Sequence, residues 1–270
     1  MIKEQEQVQK EINRIFQIFA SSEGELRPHF VLTGPSGSGK THTINDICEK
    51  HGLTFMEINA AQITKEGLAG NSISKCLTPL LNHGSELVVC LVDEFDKLFI
   101  SGNSNGQLAH ESTNGVQNEF LKILESDHTA VAGDYGKFVN ARVDNVLFIF
   151  AGAFNNEENI TLDRLREFGV KTEFLGRVGL VYNLEPVSLE SLKNILATSK
   201  TLEAYLELFP EEPKEKVLAC LNTHLEENFE KNSIGVRYLT SLINQYFICD
   251  GQLGSKEVKR TSFQKTLSFE

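Results

Sequence analysis

A glycine-rich octapeptide near the amino terminus has the residue types and spacing of a phosphate-binding loop. It fits the pattern G-x-x-x-x-G-K-[ST] and reads Gly34, Pro35, Ser36, Gly37, Ser38, Gly39, Lys40, Thr41. The glycines allow successive backbone N–H groups to converge on phosphate oxygens, beside the positive end of the helix that follows. Lys40 is expected to reach the β- and γ-phosphates, and the Thr41 hydroxyl to ligate Mg²⁺. The sequence therefore predicts an ATP site formed by Gly34 to Thr41, with His42 next to it.

Two adjacent carboxylates, Asp93 and Glu94, follow the aliphatic run Leu87–Val92. Such a run is typical of a strand that is buried on both faces. Because ligands of an open α/β sheet bind at the carboxyl ends of its strands, both carboxylates are expected near the phosphate loop. Asp93 would hold Mg²⁺ through the water shell of the metal, and Glu94 would activate the attacking water as a general base. This pair predicts ATP hydrolysis, and a solvated acidic turn is the alternative.

The elements that must position these residues alternate between strands and helices up to about residue 185. An amphipathic helix is predicted within residues 1–20. Strands are predicted at His29–Thr33, Thr54–Ile58, Leu87–Val92, Val146–Phe150 and Val178–Leu184. Helices are predicted at Thr41–His51, Ser72–Asn82, Gly115–Glu125 and Leu162–Phe168, and a loop or hairpin at Asp127–Asp144. This alternation predicts an α/β fold with a five-stranded parallel sheet between helices.

The pattern changes after Pro186, which is a candidate hinge. Long amphipathic segments at 188–208, 213–230 and 233–249 follow, without a strand signal. The sequence therefore predicts an α/β nucleotide-binding core at 1–185 and a small all-helical lid domain with a flexible C-terminal tail at 186–270.

Composition restricts the class of partner. The 270 residues carry 26 Lys and Arg against 37 Asp and Glu, a net charge of −11. This charge disfavours a nonspecific surface for nucleic acid, which usually requires a basic excess. The five cysteines show no metal-binding spacing and favour reduced thiols. The longest apolar runs are too short to span a bilayer, and the amino terminus does not resemble a signal peptide. We expect a cytoplasmic protein with no membrane association.

A series of local motifs resembles the AAA+ superfamily, and within it the Clp unfoldases of the ClpX/HslU type. GPSGSGKT and VDEFDKL resemble the Walker A and Walker B motifs of that group. Three later segments resemble its further elements: residues 147–154 the strand before sensor 1, residues 168–177 the arginine-finger segment, and residues 234–239 the start of the sensor-2 helix. The resemblance covers most of residues 29–245.

The resemblance implies roles for further residues. Arg177 would act in trans on the γ-phosphate of a neighbouring subunit, and Arg237 would sense the γ-phosphate in cis. It also implies a ring, expected to be a homo-hexamer, that acts on a protein substrate or adaptor. The sensor-1 residue stays open between Asn155 and Asn156, and Ile2 is a candidate adenine contact.

The sequence departs from the unfoldase pattern at the expected pore. Leu68 stands where these motors have an aromatic residue that grips the substrate, and His110 lies in the expected second pore loop, Ala109–Asn114. The loop that docks on the ClpP peptidase has no counterpart between Phe154 and Leu162, so a ClpP-type partner is not expected.

We therefore expect an ATP-dependent motor that remodels or unfolds proteins without a docked peptidase. Two alternatives remain open. One is a nucleotide-gated assembly factor that binds a partner without threading it. The other is an AAA+ ATPase of DNA transactions, of the helicase or clamp-loader type, which the acidic charge disfavours.

Overall fold

The computed structural model describes residues 2–63, 72–99, 107–133, 137–251 and 253, without the side chains of residues 107–113. These residues cluster into two compact units. The first comprises residues 1–188 and 233–236, and the second comprises residues 189–232 and 237–270. The sequence prediction places its domain boundary after residue 185.

A parallel five-stranded sheet forms the centre of the first unit, which confirms the predicted fold class. The strands are β1 (Phe30–Thr33), β2 (Thr54–Asn59), β3 (Val88–Asp93), β6 (Val146–Gly152) and β7 (Leu180–Asn183). Their order is β2-β3-β6-β1-β7, and every pair of neighbours is parallel. The phosphate loop therefore leaves a strand that lies inside the sheet, between β6 and β7.

Helices cover both faces of this sheet. In the part of the chain that the structure describes, the α-helices of the first unit are α1 (Glu6–Ser21), α2 (Lys40–His51), α3 (Ile73–Cys76), α4 (Gln107–Glu125), α5 (Leu162–Glu167) and α6 (Thr172–Arg177). Those of the second unit are α7 (Leu189–Ala197), α8 (Lys200–Leu208), α9 (Lys214–Asn228) and α10 (Arg237–Ile248). Short 3-10 segments lie at Lys3–Gln5, Ala60–Gln62, Thr78–Asn82, Phe95–Leu98, Phe154–Asn156 and Phe229–Lys231.

Successive side chains of β3 enter opposite hydrophobic cores, as the pleat of a strand requires. Val89 and Leu91 pack with α1 and α2, whose buried residues include Phe16 and Ile44. Val88, Cys90 and Val92 pack in the other core, with buried residues of α4 and α6. All residues of β3 from Val88 to Val92 are buried, and only its last residue, Asp93, is partly exposed. The strand therefore places its first charged side chain at its carboxyl end, where the site is predicted.

The predicted hairpin is present between α4 and β6. It consists of β4 (His128–Ala132) and β5 (Phe138–Arg142), which pair antiparallel. The preceding helix α4 begins at Gln107, whereas the sequence predicts it from Gly115. The backbone of His110 is therefore helical, within the segment that was expected to be a pore loop.

The second unit is helical from α7 to α10 in its described part. Tyr205 of α8 stacks on Phe247 of α10, with ring centroids 4.7 Å apart and planes 6° apart. The predicted segment 188–208 is interrupted, since Ser199 caps the start of α8 through a hydrogen bond from the Leu202 N–H. No helix among the described residues is long and apolar enough to cross a membrane.

Candidate nucleotide site

The phosphate loop is an open turn between β1 and α2 that depends on its glycines. Gly34, Gly37 and Gly39 have φ values of +148°, +73° and +89°, which L side chains rarely adopt. Gly39 caps α2, and its carbonyl accepts the first helical hydrogen bond, from the Thr43 N–H at 2.8 Å. The loop therefore ends at a helix N-terminus, where free N–H groups favour an anion.

Lys40 lies over the loop that precedes it. Its Nζ donates to the carbonyl oxygens of Gly34 and Pro35, at 2.7 and 3.0 Å. These bonds hold the ammonium group beside the backbone that is expected to bind phosphate. Lys40 can exchange these carbonyl oxygens for phosphate oxygens without leaving the loop.

The two predicted magnesium ligands are brought together. Thr41 Oγ1 at the start of α2 donates to Asp93 Oδ2 at the end of β3, at 3.4 Å. Mg²⁺ prefers oxygen ligands and commonly uses one or two protein groups with water and substrate phosphates. A hydroxyl and a carboxylate beside a phosphate loop fit this requirement, so Thr41 and Asp93 are the residues that would hold the ion.

Glu94 extends from the end of β3 in an unusual backbone conformation. Its φ is +55°, in the left-handed region, and its N–H donates to Asp93 Oδ1 at 2.8 Å. This turn leaves Glu94 exposed beside Asp93. A left-handed non-glycine residue is uncommon and often marks a functional site. An exposed carboxylate at this position can accept a proton from water.

Glu57 of β2 is a further carboxylate near Asp93. Partial burial raises the pKa of Glu57, and the negative charge of Asp93 raises it further. Its position follows from the register, in which the next residue but one, Asn59, is paired with Asp93. Glu57 and Asp93 therefore place two carboxylates near each other at the carboxyl end of the sheet.

A strained turn after β6 connects Asp96, the last acidic residue of VDEFD, to the phosphate loop. Phe154, Asn155 and Asn156 all have positive φ, at 43°, 60° and 58°. Asp96, which is 2% exposed, accepts a hydrogen bond from the Phe154 N–H at 3.2 Å. Asn156 Oδ1 accepts from the Ser36 N–H at 3.1 Å. Of the two sensor-1 candidates, Asn156 is therefore the one that contacts the phosphate loop.

The amino-terminal segment also packs on the phosphate loop. Gln5 is fully buried, and its Nε2 donates to the carbonyl oxygens of Ser38 and Glu185, at 2.9 and 2.8 Å. A Cβ at Gly39 would lie 4.0 Å from Ile2 Cδ1, so Ile2 borders the loop. Gln5 links the phosphate loop to the chain that leaves β7.

The segment Ser233–Val236 lies against the other side of the loop. The Val236 N–H donates to the Gly37 carbonyl at 3.1 Å, and a Cβ at Gly37 would come within 2.0 Å of the Ile234 carbonyl oxygen. A Cβ at Gly235 would come within 2.5 Å of the Gly37 oxygen. The two glycines therefore permit a backbone contact that no side chain would allow.

The remaining predicted residues are more dispersed. Arg177 ends α6 with an exposed side chain and forms an ion pair with Glu125 at 2.7 Å. Arg237 is the first residue of α10, in the second unit. His42 points outward from α2, with its side chain 80% exposed and 3.4 Å from Asp46. Leu68 and the side chain of His110 lie outside the described residues.

Sequence reasoning missed the buried polar residues that support the site. Gln5 lies in a Gln- and Glu-rich stretch that reads as a solvated helix face, and Asp96 lies in VDEFD without a catalytic position of its own. The signal in the sequence for Asp96 is its place directly after the apolar residue Phe95. For Gln5 the sequence alone offers none.

Comparison with known proteins agrees with this geometry. Residues 30–174 match the family described as "ATPase family associated with various cellular activities (AAA)". The chain is 26% identical to ClpX, the ATP-binding subunit of the ATP-dependent Clp protease, of Porphyromonas gingivalis over 216 residues, which are 64% of this chain and 53% of the relative. It is 29% identical over 258 residues to ClpX 2 of Wolinella succinogenes, which are 79% of this chain and 63% of the relative.

A third relative has a similar extent of match. ClpX of Bacteroides fragilis is 25% identical over 241 residues, covering 73% of this chain and 58% of the relative. The chain thus spans roughly half to just under two thirds of the length of these relatives. Since the family match covers more than half of the chain and includes the phosphate loop and the acidic strand end, this protein belongs to the AAA family of ATPases and is ClpX-like within it.

Proposed function

We propose that this protein hydrolyses ATP at the site formed by the phosphate loop and the end of β3. The observation that carries the proposal is the Thr41–Asp93 contact of 3.4 Å, with Glu94 exposed next to Asp93. The loop N–H groups and Lys40 would bind the phosphates, and Thr41 and Asp93 would hold Mg²⁺. When bound, the ion would neutralise charge on the phosphates. Glu94 would accept the proton of the attacking water.

Asn156 is the residue that we assign to the sensor-1 position. Its side chain already accepts a hydrogen bond from the phosphate loop, at the Ser36 N–H. The strained turn around it is fixed by Asp96 through the Phe154 N–H. An amide at this place can orient the γ-phosphate and the attacking water.

We further propose that the site is completed by Arg177 of a neighbouring copy. The Arg177 side chain is 57% exposed at the end of α6, and its ion-pair partner Glu125 is exposed as well, so a second chain can reach the guanidinium. A planar guanidinium can bind two phosphate oxygens at once and stabilises the charge of the transition state. Hydrolysis would then depend on assembly into a ring, which we expect to be hexameric, with Arg237 sensing the γ-phosphate in cis.

Mixing two inactive variants tests the shared site. Lys40→Ala subunits lack a competent site but donate Arg177, whereas Arg177→Ala subunits have the site but no finger. We expect each variant alone to be inactive and the mixture to recover part of the ATPase activity. Absence of recovery, in mixed rings confirmed by two affinity tags, would contradict a finger that acts in trans.

The work done by hydrolysis is proposed to be remodelling of protein substrates in the cytoplasm, independently of a peptidase. The relatives are named as ATP-binding subunits of a Clp protease, and the acidic charge of this chain favours protein over nucleic acid as the client. Leu68 and His110 are the proposed pore residues. Leu68 is apolar but offers less rigid contact area than an aromatic residue.

A folded fluorescent reporter with an unstructured tag distinguishes the candidate functions. Loss of fluorescence that requires ATP would support unfolding. Retention of the reporter on Glu94→Gln rings without loss of fluorescence would instead support a nucleotide-gated assembly factor. Stimulation of the ATPase by single-stranded DNA, but not by an unfolded protein, would contradict the proposal and support a DNA-directed ATPase.

A further inference from the structure

A fully buried glutamine of α4 holds the chain segment that leads into α6. Gln117 is 0% exposed. Its Nε2 donates to the Gly169 carbonyl at 3.2 Å, and its Oε1 accepts from the Lys171 N–H at 2.8 Å. Both ends of the amide are therefore used, and both partners are backbone groups of one short segment. The side chain therefore fixes the path of that backbone through one donated and one accepted hydrogen bond, as an adjacent strand does in a sheet.

This segment sets the position of the proposed finger. Helix α6 starts at Thr172, directly after Lys171, and ends at Arg177. Its six residues form less than two turns, so that a displacement at its start moves its end as well. Buried Phe174 and Leu175 pack the middle of the helix in the core. The short helix α6 therefore connects the backbone segment that Gln117 holds to Arg177.

A second contact joins the far ends of the same two helices. Glu125, the last residue of α4, pairs with the Arg177 guanidinium at 2.7 Å, but the two side chains are 44% and 57% exposed. Exposed ion pairs contribute little, because water and salt screen them. A buried amide that loses its partners leaves unsatisfied backbone groups, which is far more costly. Gln117 is therefore the stronger of the two constraints.

We propose that Gln117 is a positioning residue for Arg177, so that α4 sets the finger that the next subunit uses. This inference rests on the proposed function, since it requires Arg177 to act in trans. The same helix carries His110 near its start, which is a proposed pore residue. A change in the position of α4 is therefore passed to α6, and from there to the nucleotide site of the neighbouring chain.

The test places Gln117→Met in one partner of a mixed ring at a time. The parent pair is again Lys40→Ala, which donates the finger, and Arg177→Ala, which supplies the site. In the Lys40→Ala subunit, Gln117→Met is expected to lower the recovered ATPase on the order of tenfold or more, since small misplacements of catalytic groups have effects of this size. In the Arg177→Ala subunit, the same substitution is expected to leave the activity unchanged.

Asn118→Ala provides a matched control on the same helix. Asn118 is exposed and accepts a hydrogen bond from the Lys171 side chain, at its Nζ, at 2.8 Å. Because this bond involves no backbone group of residues 169–171, its removal is expected to leave the backbone path intact. We expect it to preserve the recovered activity in either subunit. Where Gln117→Met does not fold, as judged by its melting temperature, Gln117→Asn replaces it. This variant keeps the amide but shortens its reach to the Gly169 and Lys171 backbone by one CH₂ group, and the same asymmetry is expected.

The outcomes separate this inference from the proposal on which it rests. A loss confined to the finger-donating subunit supports it. An equal loss in both placements, or no loss in the finger donor, would overturn it while leaving the shared site intact. A parent pair without recovered activity would contradict the shared site itself, and this inference with it.

Discussion

Three polar side chains, of which Asp96 and Gln5 are buried, hold the loops around the proposed nucleotide site in place. Asp96 fixes the turn after β6 through the Phe154 N–H, and Asn156 of that turn holds the Ser36 N–H of the phosphate loop. Gln5 holds the Ser38 carbonyl from another side. Each of these bonds joins residues that are far apart in the sequence. The site therefore depends on tertiary contacts as much as on the local sequence of its motifs.

Asn156 and Asn155 offer a matched pair of substitutions. Both have left-handed backbone, so alanine strains either position similarly, but only the Asn156 side chain is bonded to Ser36. We expect Asn156→Ala to lower ATP turnover about tenfold, the effect of losing one net hydrogen bond. Asn155→Ala should stay near the wild-type rate, measured as phosphate release at saturating ATP. Equal losses would show that the strain of the turn, and not the Asn156 amide, determines the effect.

The motif residues could be predicted because their types and spacing are dictated by the phosphate and by Mg²⁺. Lys40, Thr41 and Asp93 are examples, and the structure places Thr41 and Asp93 in contact. Gln5 and Gln117 could not be predicted in this way. A glutamine has no periodicity of its own, and its burial depends on which distant backbone groups lack partners.

At the level of elements, the parallel sheet brings together strand ends that are distant in the chain. The continuous aliphatic run of β3 buries both of its faces, so the sequence predicts this strand correctly. The short helix α6 and the early start of α4 were not predicted. Helix α6 contains Gly176, a poor helix former, and the start of α4 lies in a polar stretch with little apolar periodicity.

Gly235 tests the contact between the segment Ser233–Val236 and the phosphate loop. A Cβ at Gly235 would lie 2.5 Å from the Gly37 oxygen, whereas a Cβ at Gly52 would meet nothing within 4 Å. The φ values are similar, +56° and +64°, so both alanine variants carry a comparable strain of about 1–2 kcal/mol.

Gly235→Ala is therefore expected to weaken ATP binding, because the loop must shift, while Gly52→Ala is expected only to lower the melting temperature. Titration with a fluorescent ATP analogue measures the difference. Unchanged affinity in Gly235→Ala, with a stability loss equal to that of Gly52→Ala, would show that the loop does not depend on this contact.

At the scale of the whole molecule, residues outside the proposed site contribute to stability. The first unit contains a buried histidine away from the proposed site: burial and, to a smaller extent, the charge of Arg27 together lower the pKa of His29 to about 4. Its Nδ1 accepts a hydrogen bond from the Phe148 N–H at 3.0 Å, which requires the neutral ring. Protonation of His29 should therefore contribute to the pH dependence of the free energy of unfolding.

Proton linkage determines whether the free energy of unfolding rises or falls with pH. An unfolded histidine has a pKa of about 6.5, so below that pH the unfolded chain binds more protons than the folded one. The stabilisation is complete above pH 6.5 and is lost as the pH falls towards 4. Between pH 7.5 and pH 5 we expect a loss of about 2 kcal/mol from His29.

Urea unfolding at the two pH values measures this loss. His29→Asn, which keeps an acceptor but cannot titrate in this range, should lose less stability than the wild type. His42→Asn is the control, because His42 is exposed, and it should behave like the wild type. The same pH dependence in His29→Asn and the wild type would exclude this role.

Glu94 is proposed to activate water for the hydrolysis of ATP bound by the phosphate loop. The most direct measurement is phosphate release by Glu94→Gln at saturating ATP and Mg²⁺, with ATP binding measured on the same sample. Glutamine keeps the size of the side chain but cannot accept the proton, so we predict normal binding and turnover lowered about 10²- to 10⁴-fold. Glu57→Gln, which alters the nearby carboxylate of β2, should retain turnover. Turnover by Glu94→Gln at the wild-type rate would show that Glu94 does not activate the attacking water.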